Sequence, residues 1–316
     1  MRTVVTGGAG FIGSALVDRL LSDGHEVVVV DDFSTGSHTN LVDAVSKVGE
    51  RLTVEAVDLR ESRCTEVIAS ADAEVIFHLG AQADVRSSVA DPHGDADINI
   101  LGTIRVLEGA RRSRVRKIVF AASGGTLYGE TDPSLLPLAE SIPHNPASPY
   151  GASKFAAGVY LRVYGSLYGL HWTELALANV YGPRQNWGGE TGVVSIFATQ
   201  LLAGQTCTIF GSGEQTRDFV FVDDVADAFV AASMRGNGYL FNIGTGVETS
   251  INDLYRMMAE EVDNPGDPLS VIERVGELER SALNPALAGH LLEWRPQVGL
   301  RDGLRRTFDW LAAASN

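Results

Sequence analysis

The 316-residue chain is poor in cysteine, in positive charge and in long apolar runs. Its two cysteines, Cys64 and Cys207, are too few for a disulfide framework, and neither has the spacing of a metal site. With 25 basic and 40 acidic side chains, the net charge of -15 argues against nucleic acid as a partner. No stretch reaches the roughly 18 apolar residues that a membrane span needs. These absences predict a soluble protein with neither nucleic acid nor membrane as a partner.

The chain begins with a β-branched run and a glycine turn, MRTVVTGGAG, which leaves no room for a secretion signal. We therefore expect a cytoplasmic location. An acidic chain can still bind an anionic ligand, but it must use backbone amides and a few well-placed cations. That requirement makes the glycine-rich turns the first place to look for a site.

The first 180 residues alternate short β-branched runs with amphipathic helical stretches. The predicted strands cover residues 2–6, 25–31, 52–58, 74–79, 117–122 and 173–179, and the helices between them include 14–22 and 95–112. Such alternation predicts an α/β fold with a doubly wound parallel sheet, covered by helices on both faces.

After residue 182 the regular alternation weakens and glycine-rich connections appear. Helices are predicted at 193–202, 222–233, 250–262 and 301–314, with short strands near 206–210 and 269–274. We therefore predict one domain over residues 1–180 and a smaller α/β domain over residues 181–316, interleaved with the first.

A glycine-rich turn, VVTGGAGFIGS, places Gly7, Gly10 and Gly13 between a predicted strand and a predicted helix. Glycine there permits a tight turn, close approach of the backbone to a pyrophosphate, and close packing of helix on strand. The second strand ends in Asp31, whose carboxylate can accept hydrogen bonds from both adenosine ribose hydroxyls and repels a 2'-phosphate. The first domain is therefore predicted to bind NAD and not NADP. Asp58, which ends the third strand, either lies near the adenine or caps the next helix.

The stretch SPYGASK places Tyr150 and Lys154 four residues apart at the start of a predicted helix, so both side chains share one face. A phenol has an ordinary pKa of about 10 and is a poor base near neutral pH. A nearby ammonium group and the positive nicotinamide ring of bound NAD both favour the phenolate. Tyr150 is therefore the predicted base for a sugar or alcohol hydroxyl, with Lys154 as its partner.

Seven features occur in order along the chain: TGGAGFIG, the acidic end of the second strand, HLGAQ, NILGT, SGGTLYG, SPYGASK and NVYGPRQ. With them the chain resembles the extended short-chain dehydrogenase/reductase superfamily over essentially its whole length. Within that superfamily it is most similar to the nucleotide-sugar epimerases, and to UDP-glucose 4-epimerases in particular. The resemblance implies an isomerase of carbohydrate metabolism, notably galactose metabolism, that binds NAD and a UDP-sugar. It also implies a homodimer formed through paired helices, one of them bearing Tyr150.

The resemblance also implies which residues contact each ligand. Around the adenosine and pyrophosphate it places Gly7, Gly10, Phe11, Ile12, Asp31, Asp32, Ser34, Thr35 and Gly36. Further along NAD it places Asp58, Leu59, Leu79, Ala81, Gln82, Asn99, Tyr150 and Lys154, the lysine at the nicotinamide ribose. The expected contacts of the UDP-sugar are Arg86, Ser123, Thr126, Asn179, Val194, Thr208, Phe210, Arg217, Arg274 and Glu277. Arg217 and Arg274 have the fork geometry that suits a diphosphate, whereas Glu277 stands where the family usually has aspartate.

The implied reaction removes the proton of the sugar 4-hydroxyl through Tyr150 and passes through a transient 4-keto sugar that is reduced on its other face. The stretch SGGTLYG offers three hydroxyls to this chemistry, from Ser123, Thr126 and Tyr128. The glycine pair moves the family's catalytic hydroxyl to Ser123. Thr126 is the second candidate, as a hexose contact, and Tyr128 is interpreted as a packing residue. Because no acidic residue follows Ser123, the dehydratases and decarboxylases of the superfamily are disfavoured.

Several alternatives stay open at this point. The chain is a UDP-glucuronate 4-epimerase if Arg86 or Arg184 faces a 6-carboxylate, whereas the competing interpretation gives both arginines structural or phosphate-linked roles. Ser281 matches a position where a bulky residue blocks large 2-substituents in some UDP-glucose epimerases, so its small side chain leaves N-acetylated sugars open. A more distant alternative is a redox sensor that binds the dinucleotide and catalyses nothing. Retention of the serine, tyrosine and lysine together argues against a sensor.

Overall fold

The structure, a computed structural model, describes residues 1–42, 44–45, 49–185, 192–263, 265–272 and 278–314. Two residues expected to contact the UDP-sugar, Arg274 and Glu277, lie outside the described residues. Within those ranges, no helix is both long enough and apolar enough to cross a membrane.

The strands of the described chain fall into one large sheet and three small ones. In chain order they are β1 Arg2–Thr6, β2 Glu26–Asp31, β3 Leu52–Ala56, β4 Val75–His78, β5 Lys117–Ser123, β6 His171–Leu177, β7 Asn179–Tyr181, β8 Thr208–Phe210, β9 Thr216–Arg217, β10 Phe219–Phe221, β11 Tyr239–Ile243, β12 Thr249–Ser250 and β13 Leu269–Val271. The large sheet has seven parallel strands in the order β3-β2-β1-β4-β5-β6-β11. The predicted doubly wound parallel sheet is thereby confirmed.

Helices cover both faces of this sheet. They are α1 Phe11–Ser22, α2 Ser62–Ser70, α3 Val85–Ala90, α4 Pro92–Ala96, α5 Gly102–Arg111, α6 Gly124–Leu127, α7 Pro149–Tyr168, α8 Val193–Leu202, α9 Val222–Met234, α10 Ile251–Ala259, α11 Ala286–Leu291 and α12 Leu300–Ala314, with a π turn at Asp97–Leu101 and short 3-10 turns at His38–Leu41, Gly49–Arg51 and Pro133–Leu135. The predicted helix 95–112 is observed within a continuous helical stretch over residues 92–111, in which the π turn joins α4 to α5.

The sheet separates two hydrophobic cores, since successive side chains of a strand point to opposite faces. Along β2, Val27 and Val29 pack with α1 and α9, whereas Val28 and Val30 pack with α2, α5 and α7. A third core joins β7 and β10 to α8, α10 and α12. It lies in the second half of the sequence, beside the small sheets β7/β10, β9/β12 and β8/β13.

The two halves of the sequence share elements. Strand β11, from the second half, forms the edge of the large sheet beside β6, and α9 packs against α1 of the first half. The division at residue 180 stays a prediction.

Candidate active site

The main cleft lies at the carboxyl ends of the large sheet, where strand order reverses between β1 and β4. Ligands bind at such a switch point because the loops after neighbouring strands diverge there. Gly7 and Gly80 follow these two strands, and a Cβ atom on Gly7 would lie 2.6 Å from the Gly80 nitrogen. Gly7 also has a φ of 68°, which favours glycine. The cleft between these loops has a volume of about 710 Å³.

The turn after β1 fits a dinucleotide pyrophosphate. A Cβ atom on Gly13 would lie 2.0 Å from the Gly7 carbonyl oxygen, so only glycine lets α1 start this close to β1. Gly10 is the N-cap of α1, and no side chain caps this end of the helix. Its first-turn amides and the positive end of the helix dipole are therefore directed at an anionic ligand.

Asp31 and Asp32, at the end of β2, organise the adenosine end of the cleft. The Asp31 carboxylate accepts hydrogen bonds from the backbone amides of Ala9 and Phe33, each at 2.9 Å. Burial raises the pKa of Asp31 above its ordinary value, although both hydrogen bonds oppose that shift. Asp32 accepts hydrogen bonds from the amide and hydroxyl of Ser34 at 2.9 and 2.6 Å.

Asp58 also lines the cleft, and it does not cap α2, whose N-cap is Glu61. Its carboxylate accepts hydrogen bonds from the Arg60 amide at 2.8 Å and the Arg60 guanidinium at 2.6 Å. The hydrogen bond from the Arg60 side chain holds the pKa of Asp58 below its ordinary value. The carboxylate is therefore ionised where the adenosine is expected.

Most of the residues expected to contact NAD line this one cleft. They are Gly7, Gly10, Phe11, Ile12, Asp31, Asp32, Ser34, Thr35, Asp58, Leu59, Leu79, Ala81, Gln82, Tyr150 and Lys154. Gly36 lies just behind, where an added Cβ atom would be 2.8 Å from Asp31 Oδ1. Asn99 is buried, and its amide group holds the backbone of Gln82 through hydrogen bonds of 3.0 and 2.9 Å. Asn99 therefore shapes the wall of the cleft from behind.

Helix α7 begins beside the turn that carries Ser123. Ser148 caps the helix by accepting a hydrogen bond from the Gly151 amide at 3.1 Å, and Pro149 occupies the first turn. A Cβ atom on Gly151 would lie 2.8 Å from the Thr126 carbonyl oxygen, so glycine permits this close approach. The approach brings the Ser123 hydroxyl close enough to the Tyr150 phenol to lower the pKa of the phenol.

Lys154 is buried and Tyr150 partly buried at this end of the cleft, and burial disfavours the charged form of each. Burial raises the pKa of Tyr150 to about 12, an effect that the neighbouring Ser123 hydroxyl opposes. Burial lowers the pKa of Lys154 to about 8, which leaves its ammonium group protonated at neutral pH. The Lys154 Nζ lies 5.9 Å from the centre of the Tyr150 ring and donates to the Ala121 carbonyl at 3.0 Å. The sequence predicts that Lys154 lowers the pKa of the Tyr150 phenol. In the structure, burial raises that pKa instead.

The three hydroxyls of SGGTLYG differ in their partners. Ser123 is the N-cap of α6, but its hydroxyl makes no capping hydrogen bond and is directed to Tyr150. The Thr126 hydroxyl is within 3.5 Å of the Ser123 carbonyl, which it faces as a donor. Tyr128 is buried, and its phenol donates to Asn242 at 2.8 Å, as expected of a packing residue. This geometry favours Ser123 over Thr126 as the catalytic hydroxyl.

The residues expected to contact UDP lie on several short elements of the second half. Asn179 begins β7, Thr208 and Phe210 bound β8, and all three are partly exposed. Arg217 ends β9, and its guanidinium donates to the Thr216 carbonyl at 2.7 Å. The side chain of Val194, in contrast, is buried in the third core, so its backbone in the first turn of α8 is the part available to a ligand.

Arg184 and Arg86 occupy different surroundings. Arg184 has a φ of 68° and forms an ion pair of 2.6 Å with Asp18 on α1, which supports the structural interpretation. Arg86 lies on the exposed side of α3. Ser281 is buried. Two residues later, the Leu283 side chain packs so close to Gly124 that a Cβ atom added there would lie 2.3 Å from it.

The sequence analysis missed part of the site. Besides Gly13 of the predicted glycine turn, the cleft is also lined by Val30, Val57, Gly80, Ala83, Asp84, Ser87, Ile98, Ala121, Ala122, Leu177, Ala178, Val180, Gln185 and Gly192. Leu177 ends β6, so the rule that ligands bind at carboxyl ends of parallel strands identifies this neighbourhood in advance. Gln185 belongs to the motif NVYGPRQ, where the family resemblance already gave a signal. Across the described ranges, no group of three or more His, Cys, Asp or Glu side chains is placed to hold a metal ion.

Comparison with known proteins places this geometry in a family. Residues 3–244 match the family model described as the NAD dependent epimerase/dehydratase family. A UDP-glucose 4-epimerase of Mycolicibacterium smegmatis is 50% identical over 98% of this chain and 98% of its own length.

Two solved structures have the same fold over the whole chain. A UDP-glucose 4-epimerase of Thermotoga maritima, solved with UDP-glucose, has a TM-score of 0.95 and 38% identity, with 100% of each chain covered. A UDP-glucose 4-epimerase of Thermus thermophilus, in complex with NAD, has a TM-score of 0.90 and 40% identity, covering 99% of this chain and 100% of that one.

Proposed function

The chain belongs to the NAD dependent epimerase/dehydratase family, and on that premise we propose that it is a UDP-hexose 4-epimerase that interconverts UDP-glucose and UDP-galactose. The observation that carries the proposal is that Ser123, Tyr150 and Lys154 line the same end of one dinucleotide cleft, with Lys154 Nζ 5.9 Å from the centre of the Tyr150 ring. The activity is that of an NAD-dependent isomerase.

Tyr150 and Ser123 act on the 4-oxygen of the hexose. Tyr150 takes the proton of the 4-hydroxyl as that carbon is oxidised, and it returns the proton when the 4-keto sugar is reduced. Ser123 donates a hydrogen bond to the same oxygen, which stabilises the charge that develops on it. Proton transfer by a positioned side chain typically contributes about 10²- to 10⁴-fold to a rate. Because burial favours the neutral phenol, positive charge beside it is needed to form the phenolate.

Lys154 supplies such charge at neutral pH, since its buried ammonium lies close to Tyr150. The residues of the β1–α1 turn and Asp31 hold the dinucleotide at the other end of the cleft. NAD held in this cleft would supply hydride transfer, taking the hydrogen of C4 with its electron pair and giving it back on the other face of the sugar. No NAD is consumed overall, so tight retention of the cofactor is compatible with turnover.

Epimerisation requires that UDP be held while the hexose turns over. We propose that Arg217 binds the UDP moiety. Asn179, the backbone at Val194 and the segment Thr208–Phe210 complete this binding site. Arg217 provides a planar fork of donors for the diphosphate. The hexose then contacts few groups besides Ser123 and Tyr150, which leaves it free to present either face.

The function is tested by incubating the purified protein, without added NAD, with UDP-glucose, UDP-N-acetylglucosamine and UDP-glucuronate in separate reactions and resolving the 4-epimers. We expect conversion of UDP-glucose. The small Ser281 also leaves UDP-N-acetylglucosamine as a possible second substrate. If protein that contains NAD converts none of the three substrates, the proposed epimerase activity is refuted.

The UDP-glucuronate alternative is weakened by the ion pair between Arg184 and Asp18, because it occupies one of the two arginines proposed for a 6-carboxylate. The sensor alternative is tested with Tyr150→Phe, which removes one hydroxyl from the cleft. A sensor keeps its behaviour in this variant, whereas an epimerase loses turnover by about 10²- to 10⁴-fold and keeps its NAD. Tyr160→Phe is the matched control, since Tyr160 lies on the outer side of the same helix and is exposed.

We further propose that the protein is a homodimer joined through α7. On this helix Phe155, Val159, Val163 and Leu167 recur at helical spacing, and each is at least 37% exposed. An apolar stripe of this kind marks a surface that another protein covers. A charged substitution such as Val163→Glu should convert the dimer to a monomer in sedimentation experiments, and wild-type protein that sediments as a monomer would contradict the proposal.

The cellular setting follows from the same proposal. Both cysteines of the chain are buried free thiols, which suits a reducing compartment, and we place the enzyme in the cytoplasm. With UDP-glucose and UDP-galactose as its substrates, it belongs to galactose metabolism.

A further inference from the structure

The carboxylate of Asp95 is buried behind the cleft, and the proposed mechanism gives it no role. Asp95 lies in α4 and is 1% exposed. Its Oδ1 accepts hydrogen bonds from Asn99 Nδ2 at 2.9 Å and Gln82 Nε2 at 3.1 Å, and its Oδ2 accepts one from Ser153 Oγ at 2.5 Å. These donors are neutral, and burying a carboxylate among neutral groups costs free energy, because no bound counter-charge replaces its lost hydration.

The partners of Asp95 connect two walls of the site. Gln82 lines the cleft, and Asn99 holds the Gln82 backbone through two hydrogen bonds. Ser153 lies in the first turns of α7, between Tyr150 and Lys154. Asp95 is therefore the point at which the wall of the NAD cleft and the catalytic helix meet.

The same network reaches the switch point of the sheet. The Asn99 carbonyl accepts a hydrogen bond from Thr103 Oγ1 at 2.6 Å, and Thr103 in turn lies 3.0 Å from His78 Nε2. His78 Nδ1 is 2.7 Å from Thr6 Oγ1 at the end of β1. Four hydrogen bonds thus connect Asp95 with the turn that follows β1, without passing through solvent.

Asp95 also acts on the catalytic pair through its charge. Its carboxylate raises the pKa of Lys154, against the larger lowering by burial, and it raises the pKa of Tyr150. Two other ionisable groups near Lys154 are Tyr150 and His78 on β4. Burial raises the pKa of Tyr150 to about 12 and lowers that of His78 to about 3, so both are neutral near pH 7. Asp95 is therefore placed to keep Lys154 protonated.

We propose that Asp95 is a positioning residue of the active site, which fixes the first turns of α7, and with them Tyr150 and Lys154, against the cleft wall through Ser153. The proposal rests on the function proposed above. Asp95 need not touch substrate or cofactor, so its effect is expected in kcat and in the titration of Lys154, with little change in KM.

The isosteric variant Asp95→Asn separates charge from shape. The amide oxygen can accept from Asn99 and Gln82 while its NH2 group donates to Ser153 Oγ, so every hydrogen bond has a counterpart. The chain contains only three lysines, Lys47, Lys117 and Lys154, so protein labelled with ¹³C-lysine gives few signals to assign. We expect Asp95→Asn to lower the titration midpoint of Lys154 by about one pH unit.

Lys117 is an internal control in the same experiment. Burial lowers its pKa also to about 8, and it lies at the opposite end of β5 from Ser123, so its midpoint should not move. Asp97→Asn, in the adjoining turn, removes the same charge from a side chain that is 43% exposed and lies within 4.0 Å of Arg105, and it should leave Lys154 unchanged. An unchanged Lys154 midpoint in Asp95→Asn would overturn the proposal. Because this titration needs no substrate, its result is independent of whether the wild-type protein epimerises UDP-sugars.

The turnover assay adds a second readout. We expect Asp95→Asn to lower kcat about tenfold, since misplacement of catalytic groups by less than an ångström is costly. If Asp95→Asn does not fold, Ser153→Ala decides the matter, because it cuts the link to α7 and leaves the buried charge in place. A lower kcat with unchanged KM in Ser153→Ala supports the positioning role, and an unchanged kcat refutes it.

Discussion

The nucleotide half and the substrate half of this molecule are built differently. Most of the residues that line the NAD cleft lie at the ends of β1 to β6 of one continuous sheet or in the turns that follow them, and α7 adds Tyr150 and Lys154. The expected UDP contacts lie on β7, β8 and β9, each of two or three residues and each in a different two-stranded sheet. On the proposed function, the cofactor is held by the loops of one large sheet, whereas the UDP-sugar is held by short strands of three separate small sheets.

Gly13→Ala should have the largest effect, because it disrupts the turn that is expected to bind NAD and leaves the elements expected to bind UDP unchanged. The new Cβ atom would lie 2.0 Å from a backbone oxygen that cannot move aside without displacing β1. We expect loss of bound NAD and, with it, loss of all epimerase activity. NAD is measured in the supernatant after denaturation. Gly299→Ala, where nothing lies within 4 Å of the added atom, is the control. Full NAD content in Gly13→Ala would contradict this account of the turn.

Ser123→Ala tests the point at which the two halves meet. Removing a hydrogen-bond donor from a developing oxyanion costs about 10²- to 10³-fold in kcat. We therefore expect a loss of about 100-fold for Ser123→Ala and a smaller loss, below about tenfold, for Thr126→Ala, with NAD retained in both. Steady-state kinetics with UDP-glucose measure the two losses. The opposite order would make Thr126 the catalytic hydroxyl.

Arg217→Lys should weaken the substrate half alone. The lysine keeps the charge but loses the planar fork, so we expect KM for the UDP-sugar to rise about tenfold, equivalent to about 1.4 kcal/mol. NAD content and kcat should stay near wild type. Arg256→Lys, in an exposed ion pair with Asp253 on α10, is the matched control. Loss of NAD in Arg217→Lys would show that the two halves are not separate.

Glu174→Gln should have the smallest effect, confined to stability. Glu174 is buried under α7 and pairs with Arg162 at 2.7 Å, and burial raises its pKa to about 7. The folded state therefore binds the proton more tightly than the unfolded chain, so ionisation of Glu174 costs stability above about pH 7. That cost is progressively relieved as the pH falls towards about 4.5, the ordinary value for glutamate.

The free energy of unfolding, measured by urea at pH 5 and pH 8, checks this direction. Relative to wild type, Glu174→Gln should gain up to about 2 kcal/mol at pH 8 and little at pH 5. Glu66→Gln, an exposed carboxylate on α2, should show no such difference. A gain that does not depend on pH would mean that ionisation of Glu174 is not its cause.

The difference between the halves also explains what the sequence could predict. Gly7 to Gly13, Asp31 and the Tyr150–Lys154 pair each act within one turn after a strand or on one helix face, so local spacing identifies them. The predicted strands of the first half are observed within a few residues of their predicted limits. The fold class and the cofactor could therefore be predicted from short sequence patterns.

Features made by distant contacts were not predictable. Nothing near Asp95 in sequence indicates that its carboxylate meets Ser153, 58 residues later. The buried Asp218, next to Arg217, accepts hydrogen bonds from the amides of Thr245, Gly246 and Leu283, and thereby joins three separate segments. The π turn between α4 and α5 was also missed, because amphipathic spacing continues across it. Such features depend on which segments meet in the folded chain.

The most direct test of the account uses UDP-glucose that carries deuterium at C4. If Tyr150 removes only the hydroxyl proton and the hydrogen of C4 leaves and returns within the closed cleft, the UDP-galactose product keeps its deuterium at C4. Mass spectrometry and NMR of the isolated product measure the retained label. Full retention, with loss of turnover in Tyr150→Phe, is the predicted result. Exchange of the label with solvent hydrogen, or conversion that does not depend on Tyr150, would contradict the mechanism.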